Sequence, residues 1–336
     1  MKSVPLTRAR HASNFVIALE EKGATTDRLL NRANLPVGLL DCIGEDGVIS
    51  ALSMLDFAEN AALHTGILDL GYWAGIVPLE GYGEFGKRVV SAPTLHSAIT
   101  TFCRDVRSEC SEADYYLKHD GASAWFCHGP VGNSALQQSQ HELYALMIII
   151  QVIQLALGSD WQPARIRLQS LDESGARNND FLLKTDIEFG APNTAVEFPV
   201  KSLATPLKRQ IKATYASLDT DSILTENLPG DPLVALKELI TLYAKQSKMP
   251  SIELTAELAG VSRRTLQRFL NSKATSYSLL LDEVKFNMAL PLLADKSNSI
   301  TEISFQLGYA NVAHFSRAFK RITGMSPKFY RNMLEN

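Results

Sequence analysis

Cysteine is scarce in this chain of 336 residues and forms no pattern. Cys42, Cys103, Cys110 and Cys127 make no C-x-x-C unit, and no histidine pair supplies the spacing of a zinc site. Reduced thiols in a cytosolic protein are therefore expected, with no metal and no other cofactor. Long apolar runs are also missing. The most apolar stretch, Leu143–Leu157, is broken by Gln151 and Gln154. It falls short of the ~20 residues that cross a bilayer, so it reads as a core helix. The opening MKSVPLTRARHASNF lacks the apolar centre of a signal peptide. These features predict a cytoplasmic protein without a membrane partner. The chemistry of common enzymes is absent as well. His11, His64, His96, His119, His128 and His141 show no H-x-H or H-x-x-x-H spacing, and no G-x-S-x-G occurs. The glycines of Gly71–Gly86 lack the strand-then-helix setting of a phosphate loop. Without clustered acid, base, nucleophile or metal groups, an enzyme is not expected.

What is present is ample apolar material, 46% of residues, and a length that suits two domains. The net charge of −3 hides an asymmetry. From Leu233 onward 14 Lys and Arg face 8 Asp and Glu, while the first 232 residues carry 19 against 28. A basic module of +6 beside an acidic one of −9 fits a nucleic-acid reader joined to something that is not one.

Residues 299–322, SITEISFQLGYANVAHFSRAFKRI, carry the strongest signal. Ser299 and Glu302 form a capping box, and Ile300, Ile303 and Leu307 make one apolar face. Gly308 and Tyr309 interrupt the run. A second helix follows with Phe315, Phe319 and Ile322 on its inner face and Ala313, Ser316, Arg317, Lys320 and Arg321 outside. That is the pattern of a helix-turn-helix. It occurs twice. A shift of 49 residues lays Leu254 on Ile303, Leu258 on Leu307, Leu266 on Phe315 and Arg268 on Arg317. The earlier copy, SIELTAELAGVSRRTLQRFL, presents Arg264, Gln267 and Arg268 at i, i+3, i+4. The two motifs span about 252–271 and 300–322.

Residues 252–331 resemble the DNA-binding domain of the AraC/XylS family of transcription regulators. The resemblance is carried by Arg264-Thr-Leu-Gln-Arg268, Leu281-Asp-Glu-Val-Lys285, Ser299-Ile-Thr-Glu-Ile303, Leu307-Gly-Tyr309, the run from His314 to Arg321, and Gly324-Met-Ser-Pro-Lys-Phe-Tyr-Arg331. Residues 72–210 resemble the arabinose-binding-like domain found on some of these regulators. Here the signal lies in Ser91-Ala-Pro-Thr-Leu95, Gly158-Ser-Asp-Trp161 with Pro163, Ile187-Glu-Phe-Gly190, Val196-Glu-Phe-Pro199 and Leu203 to Leu207. This second resemblance implies an effector-sensing and often dimer-forming domain, without identifying the ligand.

The expected architecture is an α+β N-terminal regulatory domain, residues 1–218, and a polar linker, 219–232, ending in Pro229-Gly230-Asp231-Pro232. An all-α C-terminal domain, 233–336, follows, with two helix-turn-helix motifs joined by a linker helix. In the N-terminal part, helix is expected over 7–35, with Gly23 as a stop. A helix buried through Leu52, Leu55 and Ala62 comes next, then a loop-bearing segment over Asp69–Gly86 and a helix over Thr94–Val106. Two strands should flank the turn Asp120-Gly121, with short strands over Ala164–Gln169 and Phe181–Pro199. Trp73, Tyr82 and Trp125 are candidates either to touch an effector or to pack in the core. A helix over Leu203–Leu218, with Leu207, Ile211, Thr214 and Leu218 on one side, serves either a dimer interface or the core.

DNA affinity comes largely from Lys and Arg on phosphates, and specificity from side chains at base edges. Arg pairs bidentately with guanine and Gln with adenine. Arg264, Gln267 and Arg268 are of those types; the bland reading is a solvated helix face. The resemblance places the matching positions, with Ala313, Ser316 and Arg317 of the second motif, in the major groove. Val312 and Ala313 depart from the long polar residues of some relatives, so the first motif is expected to discriminate more. Arg263, Lys320 and Arg321 suit phosphate contacts, and His314 either DNA or turn packing. The helix from Tyr277 onward, buried through Leu280, Leu281, Val284 and Met288, would hold the two reading helices ~34 Å apart. Pro291 is expected either to bend or end it near residues 287–291 or to sit harmlessly in its last turn. Gly324 and Pro327 are expected to close the second reading helix. The partners implied are double-stranded DNA, RNA polymerase for an activator, a small-molecule effector and a second copy of the chain.

Overall fold

A computed structural model describes residues 4–37, 44, 46–130, 139–208, 228, 231–245, 249–295 and 297–333. Pro5–Leu228 and Pro229–Asn336 form two compact units. The first is α+β and the second is helical. Cys42, most of the expected linker and residues 209–218 of the expected Leu203–Leu218 helix lie outside the described residues; its described start is not α-helical, since Val200–Ala204 is a 3-10 turn and Pro206 bridges to Thr94 as extended chain.

The N-terminal unit opens with β1 (Leu6–Arg8), α1 (Ala9–Glu21) and α2 (Asp27–Arg32). Phe15, Leu19, Leu29 and Leu30 are buried as their spacing predicts. β2 (Val48–Ser50) pairs antiparallel with β1 and leads into α3 (Ala51–Thr65). Ser50 caps α3 by accepting the Ser53 amide at 3.3 Å. Leu55 and Ala62 are buried on it, whereas Leu52 is only half-buried.

Asp69–Gly86 is mostly helical, with a short loop only over residues 76–78. It contains α4 (Leu70–Gly75), a short 3-10 turn and the start of α5 (Gly83–Val90). Its glycines serve close approach. A Cβ at Gly71 would overlap the Gln140 carbonyl, and one at Gly75 would sit 2.7 Å from the Met147 Cβ. α4 therefore packs backbone-close against α7 (Ser139–Leu157). α6 (Leu95–Asp105) carries a capping box between Thr94 and Ser97.

β3 (Tyr115–Asp120) and β4 (Ser123–His128) form the expected hairpin. β5 (Arg165–Arg167), β6 (Asp186–Glu188) and β7 (Thr194–Pro199) complete a five-stranded sheet of order β3-β4-β7-β5-β6, antiparallel except for β5 with β6. A four-residue helix, α8 (Ser174–Arg177), lies in the connection between β5 and β6. Alternation along β4 sends Phe126 to one face, where its ring meets Phe102 of α6 at 5.5 Å. Trp125 and Cys127 go to the other face and cluster with Ala195 and Tyr116.

α7 is the helix expected from Leu143–Leu157, lengthened at its start. By length and composition it is apolar enough to span a membrane, but 72% of its apolar window is buried inside the protein. Two carboxylates hold its first turns. Glu59 of α3 accepts the Gln140 amide at 2.7 Å, and Glu142 accepts the amides of Gln169 and Ser170. Burial raises the Glu59 pKa to about 7, against the opposing pull of the Gln140 and Ser139 donors.

The second unit runs through α9 (Pro232–Lys245), α10 (Ile252–Leu258), α11 (Arg263–Ser272), α12 (Tyr277–Ala294), α13 (Ile300–Gln306), α14 (Val312–Thr323) and α15 (Pro327–Met333). α12 does not end early: it continues past Pro291 to Ala294. Pro291 is exposed, and so is Asn287, the residue whose carbonyl loses its helical partner, so water can take the bond. The buried stripe of α12 is Leu280, Val284, Ala289 and Leu293, with Leu281 and Met288 only half-buried. Pro327 does not close α14. It opens α15, whose first turn tolerates a missing N–H.

Candidate nucleic-acid interface

Each head is a short helix, a turn and a longer helix, and each helix start has a side-chain cap. In the first head Ser251 accepts the Leu254 amide and Ser262 the Thr265 amide, both at 3.2 Å. In the second, Ser299 and Glu302 exchange bonds of 3.1 and 2.8 Å in the expected capping box. Asn311 accepts the His314 amide at 2.9 Å. These caps satisfy amides left unpaired at a helix start and mark where each helix begins.

The turns match bond for bond. Gly260 donates to the Glu257 carbonyl and Val261 to Ala256; Gly308 donates to Phe305 and Tyr309 to Ser304. Gly260 and Gly308 have φ of +66° and +71°, the left-handed region that glycine enters freely. These pairs lie 48 residues apart, not 49. The 49-residue register holds for α11 and α14, where Leu266 matches Phe315. In α10 and α13, Thr255 stands where Ile303 does and Ala259 where Leu307 does. The second turn is one residue longer. Leu254 is correspondingly only half-buried, while Thr255 is 1% exposed.

α11 buries Leu266, Phe269 and Leu270 and exposes Arg263, Arg264, Gln267 and Arg268. α14 buries Phe315, Ala318 and Phe319 and exposes Ala313, His314, Arg317, Lys320 and Arg321. Ser316 is half-buried. Ile322 is not an inner residue. It is 40% exposed, and the Tyr330 ring of α15, 5.4 Å from Phe319, closes the core there instead. Arg264, Gln267 and Arg268 thus share one solvent face, as do Ala313 and Arg317 on the other head.

The cations differ in how they are engaged. Among the described residues Arg264, Arg268, Arg317 and Lys320 make no ion pair. Arg263 pairs with Glu253 at 2.8 Å, both well exposed, a contact of little strength. Arg321 is bonded to Asp282 of α12, whose side chain is only 20% exposed. α12 also carries Lys285, whose Nζ lies 4.2 Å from the Tyr309 ring and 3.5 Å from the Gly308 carbonyl. Asp282 and Lys285 belong to the family-like run Leu281–Lys285, which by spacing alone assigns them no role. Their signal was two opposite charges at i, i+3 on one side of a helix otherwise read for its apolar stripe.

The three aromatic candidates of the N-terminal unit go different ways. Trp73 is half-buried, donates to Asp69 at 2.9 Å and lies under Lys22 Nζ at 3.6 Å. Tyr82 is buried, its hydroxyl 3.0 Å from that of Tyr144 and within reach of Asn14. Trp125 is buried beneath the Arg165 and Arg167 guanidinium groups. No hydrogen bond or ring contact joins any two of them among the described residues. Burial also lowers the pKa values of His128 and His141 to about 3 and about 4, so both rings are neutral at pH 7.

Comparison with known proteins agrees with this architecture. The profile described as the arabinose-binding domain of AraC transcription regulators, N-terminal, matches residues 23–207, and a helix-turn-helix domain profile matches residues 255–333. The ornithine utilization regulator of Pseudomonas aeruginosa is 24% identical over 341 residues, covering 97% of this chain and 96% of that protein. The HTH-type transcriptional regulator RipA of Corynebacterium glutamicum is 35% identical over 124 residues, 37% of each chain. The urease operon transcriptional activator of Escherichia coli is 25% identical over 201 residues, 51% of this chain and 67% of that one. Among solved structures, the transcriptional regulator CdpR of Pseudomonas aeruginosa aligns over 95% of this chain and 97% of its own, at 18% identity and a TM-score of 0.39.

Proposed function

The chain belongs to the AraC family of DNA-binding transcription regulators, and from that premise we propose that it is a cytoplasmic, sequence-specific activator that reads a bipartite operator under control of a small molecule bound by its N-terminal unit. The observation that carries the reading is the pair of capped helices that each turn a face with long cations to solvent, Arg264 and Arg268 on one and Arg317 and Lys320 on the other, none of them in an ion pair among the described residues. Arg264, Gln267 and Arg268 read bases for the first head. Ala313, Ser316 and Arg317 face the groove for the second, and Arg263 and Lys320 contact phosphates. α12, with 18 residues, is ~27 Å long, of the order needed to set two heads into successive major grooves.

The effector and the homodimer belong to the N-terminal unit. A relative that matches 97% of the chain is named for ornithine utilization; ornithine and other small basic amino acids are therefore the first effectors to test. Trp73, only half-buried, is a better contact candidate than Tyr82 or Trp125, which are buried in the core. The second reading is a constitutive regulator whose N-terminal unit only dimerises.

The test is selection of bound duplexes from a random pool by the intact protein, with and without ornithine, followed by a salt titration. Enrichment of two half-sites about one turn apart, with a steep salt slope, is expected. No enrichment in any condition would refute the DNA-reader proposal. Enrichment that no amino acid alters, with no ligand-induced stabilisation of the protein, favours the constitutive reading.

A further inference from the structure

We infer that Asp282 and Lys285 of α12 are positioning residues that latch the second head, and that Arg321 is a part of this latch before it is a DNA contact. The inference rests on the two-headed reading above.

Three observations converge on one side of α12. Asp282 and Lys285 lie at i, i+3, so they share a face of the helix. Asp282 bonds the Arg321 guanidinium in the last part of α14. Lys285 crosses to the other end of the same head, where its Nζ meets the Gly308 carbonyl and covers the Tyr309 ring. Tyr309 in turn packs on Phe315, 5.5 Å between rings, and Phe315 on Phe319. One face of α12 thus grips α14 near its end and the turn that precedes it, two points that together restrict rotation of α14 against α12. Partial burial strengthens the Lys285 contact, and Asp282 is the sheltered partner of the exposed Arg321. Lys285 is about half-buried, and desolvation lowers its pKa. A partly desolvated cation over an aromatic face is a stronger contact than an exposed one.

The first head lacks this arrangement. Tyr277 of α12 bonds it through neutral groups, to Thr255 at 2.8 Å and to the Pro250 carbonyl at 2.7 Å. In the matching turn bonds Tyr309 stands where the first head has Val261, an aromatic ring in place of an aliphatic side chain, and Lys285 is the residue that covers that ring.

Two roles for Asp282 make opposite predictions. If it only competes with DNA phosphate for Arg321, Asp282→Asn frees a cation and tightens binding at every sequence. If it positions α14, the same change loosens the second head alone. The experiment uses the full chain and a duplex it has selected from a random pool, with the second head's half-site identified as the one disturbed by Arg317→Ala. Asp282→Asn and Lys285→Met are expected to weaken protection of that half-site by about two- to fivefold, leaving the other unchanged. Lys285→Arg should retain protection. Amide exchange over 308–323, measured without DNA, should rise in the first two variants and stay at wild-type level in the third. Tighter or unchanged binding by Asp282→Asn with unaltered exchange overturns the latch. If the wild-type chain selects no DNA, the reader proposal falls, and the exchange measurement decides the latch by itself.

Discussion

The first head turns through Gly260, Val261 and Ser262, the second through Gly308, Tyr309, Ala310 and Asn311. Around the shorter turn the buried residues are Thr255, Ala256, Leu258 and Leu266 with the ring of Phe269, and the tie to α12 is neutral: the Tyr277 hydroxyl donates to the Pro250 carbonyl and accepts from the Thr255 hydroxyl. Around the longer turn the core is aromatic, Tyr309, Phe315 and Phe319, and the tie is made by charges. Their outer faces differ in the opposite sense. The first carries two arginines and a glutamine, the second an alanine, a serine and one arginine. One motif can therefore be repeated with its chemistry redistributed, placing long polar groups outside one copy and bulky rings with charged braces inside the other. Salt screens exposed charge pairs and spares neutral bonds, so high ionic strength should loosen the second head first.

The largest effect expected from this contrast lies in the cores. Phe315→Ala should destabilise its head by about 3–5 kcal/mol and Leu266→Ala by about 2–5 kcal/mol. Trp73, Trp125 and Trp161 all lie in the N-terminal unit, so tryptophan fluorescence reports that unit alone. The helical circular-dichroism transition should move in both variants while the fluorescence transition stays; a joint shift would break the view that these cores are local.

Next in size is base reading. Arg268→Ala is expected to cost ~1–3 kcal/mol on the selected site and to relax preference at one position, as for a lost bidentate contact. Arg317→Ala should relax it less. Equal losses in a repeated selection would remove the asymmetry between the outer faces. Smaller again is the phosphate term. Lys320→Ala should weaken all sequences alike and reduce the salt slope by about 0.9. Arg321→Ala should change that slope less, because Asp282 already holds its charge.

A final contrast separates the units rather than the heads. Glu302 and Glu59 both accept amides at helix starts. Glu302 does so in solvent, and its bond from the Ser299 amide holds its pKa below the ordinary value. Glu59 does so under burial, and its pKa rises to about 7. A raised carboxyl binds its proton better in the folded state. The stability it contributes is full below about pH 4.5 and lost as pH climbs to about 7. Glu59→Gln should therefore raise the melting temperature of the N-terminal unit at pH 8 and give no gain at pH 4.5, read by fluorescence. His128 and His141 act in the other sense, contributing stability above about pH 6.5 that is lost on acidification toward 4 and 3. Both histidines are present in the wild type and in Glu59→Gln, so comparing the two proteins at each pH isolates the carboxyl.

Much of the second unit was legible. Caps at Ser299 and Glu302, the glycine at 308 and the period of Phe315 and Phe319 are local rules, and each helix obeys them. The register of the first copy was not legible, because Leu254 and Leu258 fit an apolar stripe about as well as Thr255 and Ala259 do. Only the matching turn bonds separate the two alignments. Gly71 and Gly75 misled in the same manner: glycine favours turns, but it also permits two helices to touch, and sequence spacing does not distinguish those uses. Of the two readings of Pro291, an early end is excluded because the helix runs on to Ala294, which leaves the proline in its last turn, one turn beyond the exposed residue Asn287.

Local spacing alone determined the paired reading helices and their basic faces, since a 3.6-residue period sorts each side chain inward or outward without reference to the rest of the chain. The tertiary structure alone decided which of those cations are already engaged. Asp282 meets Arg321 across 39 positions and Lys285 meets Gly308 across 23. Such contacts depend on how helices cross, which no local period encodes.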